Sequence, residues 1–226
     1  MNTVKALFLV GISTAVLAVA AQAHAASFDC QKAVTPVEHA ICDNPELSGL
    51  DDEMAENYQL ALRKGNASTV KAGQRAWLKE RNACGDDRSG MDECIKDQYG
   101  YRLNDLGRMV YLPQKLKACS NLMIEDKTTR LGVAPSEAGG EVVVSMSHHL
   151  GFYVQSVAGL PADEDANQYM YDTDDFAKGD TVTVCLVRIP KHCPPGDDRG
   201  KEYTITNGKN RKSFAATPDW HSCGGA

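Results

Sequence analysis

The chain has 226 residues, 42% hydrophobic and 24% charged, which is ordinary usage for a globular protein and excludes a collagen-like or generally disordered chain. Lys and Arg number 24 against 30 Asp and Glu, a net charge of −6. An acidic balance of this kind excludes coating of nucleic acid or of an anionic membrane, both of which require clustered positive charge; any partner steered by charge is cationic.

Residues 1–25 read as a targeting segment. A short n-region carrying Lys5 precedes a 15-residue apolar run over residues 6–20, and Ala21-Gln22-Ala23 and Ala23-His24-Ala25 are small-x-small cleavage sites. A stable membrane anchor needs about 20 apolar residues. The expected product is therefore a periplasmic or secreted protein cut near Ala25, and Ser27-Phe28-Asp29-Cys30 is no lipobox. Loss of Lys5 leaves a mature net charge of −7.

Residues 26–117 carry helical patterns. Thr35-Pro36-Val37-Glu38 combines an N-cap, Pro at the first helical position and Glu at the capping-box position, predicting a short helix to about Cys42. Asn44-Pro45-Glu46 starts a second helix, with Leu47, Leu50, Met54, Tyr58 and Ala61 as its apolar stripe, stopped by Gly65-Asn66. A third runs over about 69–83 and buries Val70, Trp77 and Leu78. A fourth, capped by Ser89-Gly90-Met91-Asp92, carries Ile95, Tyr99, Arg102, Leu103 and Leu106 and reaches Val110 or passes Pro113 in broken form.

Residues 118–226 change to period two. Strands are predicted over 141–147, 152–158, 181–189, 203–206 and 213–217, forming a small twisted sheet or barrel. The acidic, polar stretch 161–175 reads as a surface loop. The fold class is α+β: a disulfide-bonded bundle of about four helices, then a small, mainly antiparallel β domain.

Three blocks of residues carry a family resemblance. The first is Phe28-Asp29-Cys30, Thr35-Pro36-Val37-Glu38, Ala40-Ile41-Cys42, Pro45-Glu46-Leu47 and Leu50-Asp51. The second is Gln74-Arg75-Ala76-Trp77-Leu78 with Arg81, Asn82, Ala83 and Cys84; the third is Cys94, Tyr99, Arg102, Leu103 and Leu106. In order and approximate spacing, residues 28–107 resemble the lysozyme inhibitor LprI N-terminal domain family. The resemblance implies a small disulfide-bonded helical domain, exported by bacteria, with inhibition of lysozyme as the founding activity. Residues 118–226 match no family by their motifs.

Read physically, Leu50, Trp77, Tyr99 and Leu106 are expected in the core, and Arg75, Arg81 and Arg102 are expected to pair with Asp51, Asp52 or Glu80 near the helix surfaces. The eight cysteines Cys30, Cys42, Cys84, Cys94, Cys119, Cys185, Cys193 and Cys223 form an even set without CxxC, which in an exported protein reads as a disulfide framework. Cys30–Cys42 would bracket the first helix and Cys84–Cys94 would close the turn before the fourth; cross-pairing of these four at one end of the bundle is the alternative. His192-Cys193 and His221-Ser222-Cys223 contain the donors of a tetrahedral zinc set, but in an oxidising compartment Cys193 and Cys223 are expected joined to each other or to Cys119 and Cys185. Acidic segments 163–165 and 172–175 lack EF-hand spacing.

The sequence contains no GxSxG or HExxH, so no catalytic residue, cofactor or metal is expected. The acidic run Glu46, Asp51, Asp52, Glu53 and Glu56 has two readings, helix-dipole complementarity and a docking surface for a basic cell-wall hydrolase such as lysozyme. Asp51, Asp52, Glu53 and Glu56 are the residues expected to dock that partner. The competing function is a periplasmic interaction or immunity-type module with no lysozyme role.

Overall fold

A computed structural model describes residues 26–86, 89–130, 132, 142–157, 173–194, 197, 199–219 and 221–224. The leader at 1–25 and the acidic segment 163–165 lie outside these residues, as does most of the 161–175 loop.

Four helices come first: α1 (Pro36–Asp43), α2 (Pro45–Lys64), α3 (Ala67–Ala83) and α4 (Met91–Tyr111). The predicted capping box forms at α1, where the Thr35 hydroxyl accepts from the Glu38 N–H and the Glu38 carboxylate accepts from the Thr35 N–H. Asn44 and Asn66 cap α2 and α3 in the same way through their side-chain oxygens. The fourth helix begins on Gly90 rather than Ser89, without a side-chain cap. Two short connections reverse the chain, so α3 runs antiparallel to both neighbours and α2 lies parallel to α4. The parallel pair shows in its contacts: Asn44 meets Asp92 and Asp51 meets Tyr99, while Lys64 meets the Val110 carbonyl.

Six strands follow: β1 (Cys119–Thr129), β2 (Val142–Met146), β3 (Leu150–Val157), β4 (Thr181–Arg188), β5 (Glu202–Asn207) and β6 (Ser213–Thr217). They close a barrel in the order β1-β2-β3-β6-β5-β4, every pair antiparallel. Alternation dictates the inside: Val182, Val184 and Leu186 of β4 are buried while their neighbours are not. Closure leaves no free edge. The expectation of strands missed β1, whose sequence Cys-Ser-Asn-Leu-Met-Ile-Glu-Asp-Lys-Thr-Thr buries only Leu122 and Ile124. Two apolar anchors in eleven residues fall below a period-two signal, and the ladders to β2 and β4 supply what the side chains do not.

Each half has its own core, one around Ile41, Ile95, Tyr99 and Leu103 and one around Phe152, Val184, Ile205 and Phe214. Four disulfides tie the chain: Cys30–Cys42, Cys84–Cys94, Cys119–Cys185 and Cys193–Cys223. The first two close loops of 12 and 10 residues, each contributing on the order of 3 kcal/mol by the chain-entropy model. With both thiols in a disulfide, Cys193 and Cys223 offer no thiolates to the zinc set.

Candidate functional site

The helical half is organised around a buried carboxylate. Asp51 is 1% exposed. Its Oδ1 accepts from the Tyr99 hydroxyl at 2.6 Å, and its Oδ2 accepts from the Ser27 amide and hydroxyl at 2.8 and 2.6 Å. Arg81 approaches the same carboxylate at 3.8 Å, donates to the Tyr99 oxygen and lies over the Trp77 ring. Burial and the facing Asp51 charge push the Tyr99 phenol far above its ordinary range. Arg102 is also inside, donating to Gln74 and to the Val70 carbonyl.

These positions correct two expectations. Asp51 faces no partner, because all of its strong contacts are internal. Arg81 pairs with Asp51 as expected, but inside the core rather than at the surface, and Arg102 is buried against Gln74 and the Val70 carbonyl. The helical period explains this: Asp51 lies between Leu47 and Met54 on the buried stripe of α2, and Arg81 stands one turn beyond Trp77. The signal was present in the sequence, as charged residues at apolar positions.

The other docking candidates are outward. Asp52 and Glu53 are partly exposed and Glu56 is exposed. Glu53 reaches the β half, its Oε2 lying 3.0 Å from His149 Nε2. Glu53 and Glu56 also face Tyr111, whose hydroxyl burial and these two charges push upward in pKa. The candidate docking face therefore lies beside the seam between the halves.

That seam is built from the turn between β2 and β3. His148 and His149 both take positive φ, 67° and 58°. His148 stacks on Tyr111 with ring centroids 3.6 Å apart, and Asn104 donates to the His149 carbonyl. Gly107 of α4 lets the turn approach: a β-carbon there would sit 2.6 Å from the His148 carbonyl oxygen. Arg108 adds a bidentate bond to Asp219.

A second feature is an open groove of ≈ 500 Å³ where α1, α2 and α4 meet, lined by Pro36, Ala40, Pro45 and Met91 with Asp43 and Asp92 on its rim. Neither region assembles a nucleophile with a base. Among the described residues, no cluster of three or more His, Cys, Asp or Glu could hold a metal ion. What the arrangement offers is a rigid, disulfide-tied surface with carboxylates on it.

Residues 29–112 match the model of the family described as lysozyme inhibitor LprI. The matched span is the helical half, from the first disulfide to the end of α4. The relatives include lipoprotein LprI of Mycobacterium bovis and of Mycobacterium tuberculosis, each 32% identical over 80 residues. The alignment covers 35% of this chain and 40% of each relative, so the chain spans well under half of the LprI proteins it matches. No solved structure matches the chain. Within the LprI-like part five of the motif residues, Asp51, Trp77, Arg81, Tyr99 and Arg102, are buried, while others, such as Pro45, Glu46, Arg75 and Asn82, are exposed. The buried five hold the domain together.

Proposed function

We propose that this protein is exported, and that it binds and inhibits lysozyme or a related cell-wall hydrolase by occluding the substrate cleft. The match of residues 29–112 to the lysozyme inhibitor family carries this reading. An inhibitor needs a rigid surface of the right shape and charge, and no chemistry of its own. The domains are residues 26–117, LprI-like, and 118–226, β-rich. Four disulfides accord with an oxidising compartment.

Docking is assigned to Asp52, Glu53 and Glu56, the outward part of the acidic run. A specific complex buries about 1,200–2,000 Å² in total. Opposite charge on the partner speeds encounter and sets orientation. The test is a titration of wall-lysis activity by the purified protein, across several lysozymes and at rising salt. Inhibition should saturate, and association should slow as the Debye length falls from about 10 Å at 0.1 M to about 3 Å at 1 M. Charge reversal at Asp52 and Glu56 should slow association more than it speeds dissociation. Absence of inhibition and of binding with every lysozyme and wall hydrolase tried would overturn the reading. The function would then rest on the barrel as an envelope interaction or immunity-type module.

A further inference from the structure

We propose that the Cys119–Cys185 disulfide is a thiol-exchange site on the outer wall of the barrel, open to a dithiol reductant. Cys119 and Cys185 stand directly opposite each other in the β1–β4 ladder. The alternate residues Val184 and Leu186 fill the barrel interior, so the sulfurs lie on the outside. Of the eight half-cystines Cys119 alone is exposed, and Cys84 is buried at 4%. Attack on a disulfide requires access to a sulfur along the bond, and Cys119 is the most open of these residues, those of the other three bonds being partly or fully buried.

Opening the bond does not require the strands to part. The Leu186 amide donates to the Ala118 carbonyl and the Lys117 amide to the Leu186 carbonyl, and the register continues to Met123 opposite Thr181. Lys115 and Lys117, both exposed, precede Cys119 in the chain, and positive charge near a disulfide favours the thiolates that attack and leave it. Cys30–Cys42 and Cys84–Cys94, in contrast, hold the ends of helices whose neighbours are core.

The step balances as two displacements. A thiolate of the dithiol attacks Cys119 Sγ; the new S–S bond forms as the Cys119–Cys185 bond breaks, and the electron pair leaves on Cys185 Sγ. The second thiol of the reagent loses its proton and displaces Cys119 Sγ. The protein gains two electrons and, on protonation, two thiols; the dithiol leaves as a cyclic disulfide. The bond lies at the start of β1, just after the chain leaves α4 for the barrel.

Graded dithiothreitol treatment of the native protein, quenched with N-ethylmaleimide and read by peptide mass, tests this directly. Cys119 and Cys185 should be labelled together, roughly tenfold ahead of any other cysteine, with the circular dichroism spectrum unchanged. Earlier labelling of another pair would overturn the proposal, and so would all four pairs reacting at one rate, which reports global unfolding. Charge reversal of Lys115 and Lys117 should slow the first phase several-fold at low salt and much less at high salt. An unchanged rate would remove the lysines from the mechanism.

Discussion

Asp51 occupies a position of α2 that helical periodicity gives to the core, and its neighbours are chosen to receive it. Tyr99 and Ser27 donate to its oxygens and Arg81 balances its charge. Removing one partner of a buried charged set leaves the other uncompensated, so Asp51→Ala should lower stability by roughly 3–5 kcal/mol. Tyr99→Phe, which deletes the bond donated to Asp51 and the one accepted from Arg81, should cost about 1–3 kcal/mol. Urea unfolding followed by Trp77 fluorescence measures both; equal, negligible losses would mean that the carboxylate is hydrated rather than buried. Gly107 is the other decisive position. Its missing side chain admits a backbone carbonyl that cannot swing away, so Gly107→Ala should cost about 1–3 kcal/mol and shift the urea midpoint downward. Trp77, Tyr99 and Leu106 were legible as core from spacing alone. Asp51, Arg81 and Arg102 were not, because their charge was weighed above their place on the stripe.

At the scale of elements, the Thr35 and Asn44 caps were readable because each is a local hydrogen bond within one turn; Asn66, read as a helix stop, caps α3, and Ser89 caps nothing. The α1 box makes a pH prediction. Backbone N–H groups of Val34 and Thr35 hold the Glu38 carboxyl below its ordinary pKa. A depressed folded-state pKa means that the cap contributes stability above the unfolded value of about 4.3, a contribution lost as pH falls through the lower folded value. Glu38→Gln keeps an acceptor for the box but does not titrate, so its stability should fall less than wild type between about pH 5 and pH 3. Urea midpoints across that range decide it, and parallel slopes would remove Glu38 from the acid response. The strands were less legible than the helices. β2 to β6 carry alternation, whereas β1 depends on two partner strands that are distant in sequence, and its membership is a property of the closed barrel.

For the whole molecule, the class was readable because texture changes between the halves: 3.6-residue stripes before Cys119 and alternation after it. The seam was not readable. It joins the β2–β3 turn to α2 and α4 through residues 37 to 96 positions apart, and nothing local marks His148, His149 or Gly107 as partners. The seam sets the acidic residues Glu53 and Glu56 beside the barrel, so a partner docking there meets both halves. The LprI-like half is proposed to bind a hydrolase through this outward acidic face. Amide hydrogen exchange of the intact protein, alone and saturated with an inhibited lysozyme, tests it most directly. Exchange should slow along α2 around Asp52, Glu53 and Glu56 and in the adjoining α4, with the far wall of the barrel unchanged. Protection confined to the barrel, or none on α2, would contradict it.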